Sequence, residues 1–195
     1  MRRNMLRVAV IALGLTPTAA LAHVGVGQAS GMMHGFMHPL GGVDHLLAMI
    51  LVGVFAYQLG RKALVLLPLS FVALMALGGL AGIAGMPLPF VEIGIALSVV
   101  VLGLAVAFGV NAPVALAVAL VGAFAVFHGH AHGAEMPLGV SGAAYGLGFM
   151  LATALLHAVG IGVGVLVGTL GDSYGKSFYR VAGGAAAAVG LVLLV

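Results

Sequence analysis

The chain has 195 residues, of which 63% are hydrophobic and only 6% are charged, and its mean hydropathy is +1.29. A water-soluble domain is roughly half apolar and about a quarter charged, so this composition excludes one and calls for a single integral membrane domain. The net charge of +3 leaves no basic stripe for nucleic acid, because Arg2, Arg3 and Arg7 precede the first apolar run, and the absence of cysteine removes disulfides and thiolate metal sites.

The N-terminus reads MRRNMLRVAVIALGLTPTAALA. A basic start, an apolar stretch and the small-residue site Ala20-Leu21-Ala22 are the pattern of a cleaved secretory signal over residues 1–22. An uncleaved anchor is the alternative. Cleavage makes His23 the mature N-terminus, where its α-amine and imidazole can chelate one metal ion together.

A spanning helix needs about 20 apolar residues. Residues 23–195 are expected to form a single all-α domain, a polytopic bundle of six transmembrane helices near 39–59, 64–85, 91–109, 113–132, 141–169 and 178–195. The connections are too short to hold a soluble domain, and no nucleotide-binding pattern appears. A secreted N-terminus starts outside, so the first span delivers Arg61 and Lys62 to the cytoplasm and the fifth delivers Lys176, with Arg180 close by. Signal and basic-residue bias agree on one cytoplasmic side, with both mature termini outside. Gly78 and Gly82, Gly142 and Gly146, and Gly160, Gly164 and Gly168 recur at helical spacing. Small residues so placed let helices approach closely where lipid supplies no hydrophobic drive between them. Close packing within the chain is expected, and the oligomeric state is left open.

The first span opens with HPLGGVDH, residues 38–45. An Asp at a helix centre costs about 2.5–3.5 kcal/mol on insertion scales, so its presence beside two histidines needs a reason. On an unbroken helix His38 and His45 would stand about 10.5 Å apart in rise, awkward for one ion. Pro39, Gly41 and Gly42 predict a bend that brings His38 toward Asp44 and His45. Irregular backbone at membrane depth is tolerated where protein buries it or where it lines a polar cavity. The helix macrodipole would favour Asp44 at a helix start, but it explains neither histidine. His34, Met49, Met32, Met33 and Met37 extend the same region; methionine there is apolar filler or, as a thioether, a ligand for Cu⁺.

Glu92 opens the third span, as a ligand or as a carboxylate suited to a helix start. The fourth closes with FHGHAHGAE, residues 127–135. On a helix His128, His132 and Glu135 share a face at i, i+4 and i+7, and His130 points away. Two His one turn apart suit a metal, and a carboxylate one turn further coordinates or orients them. A solvated interfacial turn is the plainer alternative for any one of these histidines. His157, in LLHAVG of the fifth span, lies at mid-depth as a pathway residue or a packing histidine. The metal set is therefore His38, Asp44, His45, His128, His132, Glu135 and His157, with His23, Glu92 and His130 as secondary candidates.

HPLGGVDH, FHGHAHGAE and LLHAVG, in that order, resemble the HupE/UreJ family of small bacterial membrane proteins associated with nickel hydrogenases and ureases. The resemblance covers essentially the whole chain, and both His-rich motifs are intact. It implies a secondary permease of the bacterial cytoplasmic membrane for Ni²⁺, with Co²⁺ in some members, and carries the ligand role onto His38, Asp44, His45, His128, His132 and Glu135. Imidazole and carboxylate without thiolate suit Ni²⁺, Co²⁺ and Zn²⁺; Cu⁺ is a lesser candidate. The expectation is uptake from an outer His/Asp/Glu site through the bundle, without enzymatic activity, prosthetic group or nucleotide, the ion then passing to metalloenzyme maturation by way of a cytoplasmic metallochaperone. Two rivals stand beside it: a metal-binding accessory or sensor subunit that does not transport, and an intramembrane zinc-dependent hydrolase.

Overall fold

A computed structural model of the chain describes residues 31–195; the expected signal over 1–22 and the candidate ligand His23 lie outside them. All elements among the described residues are helices: α1 Gly31–Gly41, α2 Val43–Leu59, α3 Ala63–Ile83, α4 Val91–Phe108, α5 Val114–Ala134, α6 Gly142–Gly168 and α7 Asp172–Val192. The chain is a helical, multi-pass membrane protein. Helices α3, α4, α5 and α6 are long and apolar enough to cross a bilayer, and α1 with α2 adds a fifth if that bent pair counts as one span.

Four of the expected spans match α3 to α6 within two residues at each end. Two differ. The expected span 39–59 is broken into α1 and α2, bent by 84°, with Gly42 between them in extended conformation at φ −102° and ψ 126°. Helix also begins earlier than expected, at Gly31, because Gly35 and Gly148 let this segment pack on α6: a Cβ on Gly35 would strike the backbone of Tyr145, and one on Gly148 the carbonyl oxygen of Met32. The expected span 178–195 begins at Asp172, so most of the connection expected at 171–177 is helical; Gly171, at φ 79°, takes the left-handed turn that restarts the chain straight after α6. With Lys176 and Arg180 in its first half, α7 is not among the helices apolar and long enough to span.

The helices pair through glycine. A Cβ on Gly129 would strike the carbonyl oxygen of Met75, and one on Gly133 that of Gly79, so α3 and α5 run side by side with backbones touching. Gly53 and Gly160 do the same for α2 and α6, and Gly103 and Gly183 for α4 and α7. Of the expected glycines, Gly78, Gly82 and Gly160 meet the backbone of a neighbouring helix and Gly164 and Gly168 make room for the Tyr57 side chain, whereas Gly146 has nothing within 4 Å of its Cβ position. The contacts fix direction. Residues 75 and 79 of α3 meet 129 and 133 of α5, so these two are parallel, while 103 and 100 of α4 meet 183 and 190 of α7, so those are antiparallel. Asp44, Glu92 and Glu135 therefore lie at one end of the bundle. Arg61 and Lys62, in the α2–α3 connection, lie at the other, and α7 starts from that same end. The core between them holds Met49, Phe55, Leu67, Phe71, Met75 and Leu102, all at most 2% exposed.

Candidate metal site

The break at Gly42 leaves His38 in the last turn of α1 and places Asp44 and His45 in the first turn of α2. Asp44 Oδ1 accepts the backbone N–H of His45 at 2.7 Å and lies 2.7 Å from His45 Nδ1. A carboxylate only accepts, so Nδ1 carries the ring hydrogen and Nε2 the lone pair. That Nε2 is buried and has no partner. Gly42 leaves room for this pair: a Cβ there would come within 2.7 Å of Asp44 Oδ1 and 3.1 Å of His45 Nδ1, so both side chains would have to shift.

Opposite, α5 remains helical through Ala134, so His128 and His132 stand one turn apart on its inner face, with Glu135 just past the last turn. The two sequence-distant motifs meet. One ligand atom each from His38, His132 and Glu135 lie within 4.8 Å of one another, with His38 Nε2 3.6 Å from Glu135 Oε2. The His132 ring is 4.6 Å from that of His38 and 4.2 Å from that of His45, and His45 is 4.7 Å from His128. The bend expected in HPLGGVDH is present, but it turns His38 toward His132 and Glu135 of α5 rather than into a pair with Asp44. His130 points away, as its helical phase requires; its Nε2–H donates to the carbonyl of Met86 at 2.7 Å and ties α5 to the α3–α4 connection.

This cluster lines a cavity of about 680 Å³ that also takes in Glu92, His34, Met33 and Met37. Glu92 is exposed on the cavity wall. Met33 and Met37 are more than half exposed there, whereas Met49 is fully buried core. Beneath the cavity the polar residues continue. His128 is fully buried with its Nε2 3.0 Å from Ser98 Oγ. Phe71 lies between it and His157, its ring 5.6 Å from His128 and 5.1 Å from His157. His157 is 1% exposed, and neither of its ring nitrogens has a hydrogen-bond partner.

Sequence reasoning missed Ser98, Phe71, Tyr145 and Phe149. Ser98 left a signal, since it is the one hydroxyl residue in α4. Tyr145, 6.0 Å from His38 with an unpartnered buried hydroxyl, and Phe149, 4.1 Å from His132, look like ordinary helix residues in sequence.

The donor set is chemically specific. Unpartnered buried nitrogens occur on His45 (Nε2), His128 (Nδ1), His132 (both) and His157 (both), and, away from the cluster, on His130 (Nδ1). A buried polar atom left unpaired costs about 1–3 kcal/mol, and packing alone would be served as well by leucine. Neutral imidazoles with bare nitrogens, flanked by Asp44 and Glu135, are what a borderline divalent cation takes.

The sequence matches the family described as HupE / UreJ protein over residues 11–193, and the chain belongs to that family. It is similar to Protein HupE of Rhizobium leguminosarum bv. viciae, with 46% identity over 195 residues that cover the whole of both chains. No solved structure matches it.

Proposed function

We propose that this HupE/UreJ chain is a secondary uptake permease for Ni²⁺ or Co²⁺, carrying the ion from the cavity end of the bundle to the end that bears Arg61 and Lys62. The supporting observation is the run of unpartnered imidazole nitrogens from the cavity wall at His132, past His45 and His128, to His157 in the closed interior. In this reading the hydrated ion enters the cavity and exchanges water for His38, His132 and Glu135. His132, with both nitrogens unpartnered and its ring against both His38 and His45, passes it to His45 and His128. The step to His157 goes past Phe71. Asp44 holds the His45 ring and offsets charge, and Glu92 adds a carboxylate to the approach.

The membrane potential suffices as a driving force. It is worth about 2.3 kcal/mol per charge per 100 mV, hence about 4.6 kcal/mol for a divalent ion, or roughly a thousandfold accumulation. Basic residues at one end and carboxylates at the other favour the cavity end as periplasmic, with both mature termini on that side of the cytoplasmic membrane. A cytoplasmic metallochaperone then receives the ion for a hydrogenase or urease.

Liposomes containing this protein alone test the reading. Under an inside-negative potential they should accumulate Ni²⁺, and a His128→Ala/His132→Ala double variant should insert but not accumulate it. Wild type that binds Ni²⁺ tightly yet moves none would make the chain an accessory or sensor subunit instead. Competition among Ni²⁺, Co²⁺, Zn²⁺ and Cu⁺ in the same vesicles sets the preferred ion.

A further inference from the structure

We infer that Ser98 is a positioning residue that decides which nitrogen of His128 meets the ion, holding Nε2 protonated and leaving Nδ1 bare. This rests on the reading of His128 as an ion ligand.

Ser98 sits in the middle of α4 and is fully buried. Its Oγ is 2.6 Å from the carbonyl oxygen of Ile95, three residues earlier, and 3.0 Å from His128 Nε2. A hydroxyl has one hydrogen to give and two lone pairs to accept with. The shorter contact is to a carbonyl, which can only accept, so the hydroxyl hydrogen goes to Ile95. Oγ then faces His128 with lone pairs alone, and Nε2–H must donate. The reverse arrangement would put the hydrogen of the neutral ring on Nδ1, which is buried without a partner. A buried N–H with nothing to donate to is the rarer and costlier defect, more so than an unused lone pair. Both considerations select the same tautomer.

Asp44 does the corresponding work on His45 from the other nitrogen, keeping Nδ1 protonated and Nε2 bare. The two rings are 4.7 Å apart and nearly perpendicular, at 89°, and they offer opposite nitrogens. Metal-binding histidines are generally held through the second nitrogen in this way. The holders here differ in charge. A carboxylate makes His45 a more basic ligand and adds a negative charge beside the ion; the Ser98 hydroxyl does neither for His128. The deeper ligand is thus oriented without being strengthened, which suits a station that must let the ion go.

The test is ¹⁵N NMR of the full chain in detergent, metal-free at about pH 8, well above the unperturbed imidazole value, with the His128 signals identified by their loss in His128→Ala. Protonated Nε2 and bare Nδ1 in wild type are expected; the opposite pattern overturns the inference. Ser98→Ala should shift His128 toward mixed tautomers and weaken Ni²⁺ binding about 10–100-fold, the usual effect of losing such a partner. Ser98→Thr, which keeps a hydroxyl able to bond the preceding turn, should retain both. A Ser98→Ala protein with unchanged tautomer and unchanged affinity refutes the role. His128→Ala separates this from the reading beneath it. Full affinity in that variant removes His128 from the ligand set, whereas weakened binding there alongside intact binding in Ser98→Ala removes only Ser98.

Discussion

Replacing His157 with leucine should make the protein more stable and stop it working. His157 is 1% exposed and neither ring nitrogen has a partner. Each unpaired buried polar atom costs about 1–3 kcal/mol, so the ring burdens the fold by about 2 kcal/mol at the low end. Its edge-to-face contact with Phe71, at 5.1 Å and 81°, returns about 0.5–1.5 kcal/mol. Leucine fills similar space without polar atoms, so the balance favours His157→Leu by at least about 0.5 kcal/mol. In a chain of this length each kcal/mol moves the melting midpoint by about 2–4 °C. The assay is thermal unfolding of wild type and variant in the same detergent, paired with Ni²⁺ uptake into liposomes of each. The expected result is a higher midpoint with uptake lost. A lower midpoint would show that the two nitrogens are satisfied after all, and undiminished uptake would make His157 a packing residue off the path.

Asp44→Asn should free the His45 ring from its fixed tautomer and weaken Ni²⁺ binding about 10–100-fold, read by titration calorimetry; unchanged affinity would mean the 2.7 Å contact does not orient a ligand. Gly129→Ala sets a methyl against the Met75 carbonyl and should cost about 1–3 kcal/mol or more, whereas Gly146→Ala, with open space around it, should gain up to about 1 kcal/mol from helix propensity; thermal melts that rank the two alike would contradict the glycine-contact account.

Much of the fold was legible in sequence because a lipid-facing helix announces itself by an apolar run of fixed length. The ends of α3 to α6 follow from that alone. The bend at Gly42 was legible too, from the conflict between the ligand-like residues of HPLGGVDH and the rise of a straight helix. Helix α1 was not, since MMHGFMH carries too little apolar length to read as a span and becomes helical by packing on α6 through Gly35. The start of α7 was obscured for a related reason: Asp172 and Lys176 suggested a loop, yet Gly171 turns the chain directly into helix. At the site, helical phase correctly separated His130 from His128 and His132. Partnerships across helices could not be read this way. That His38 meets His132 and Glu135, or that Ser98 reaches His128, depends on how close α4, α5 and the α1–α2 bend come together, which the glycine contacts decide.

The account depends most on convergent imidazoles from the two motifs holding one divalent ion. X-ray absorption at the nickel edge of the purified, Ni²⁺-loaded protein addresses this directly. Scattering from at least two imidazoles together with oxygen is expected, with one imidazole lost in His132→Ala and affinity falling accordingly. Nickel surrounded by oxygen alone, with a spectrum indifferent to His132→Ala, would contradict it.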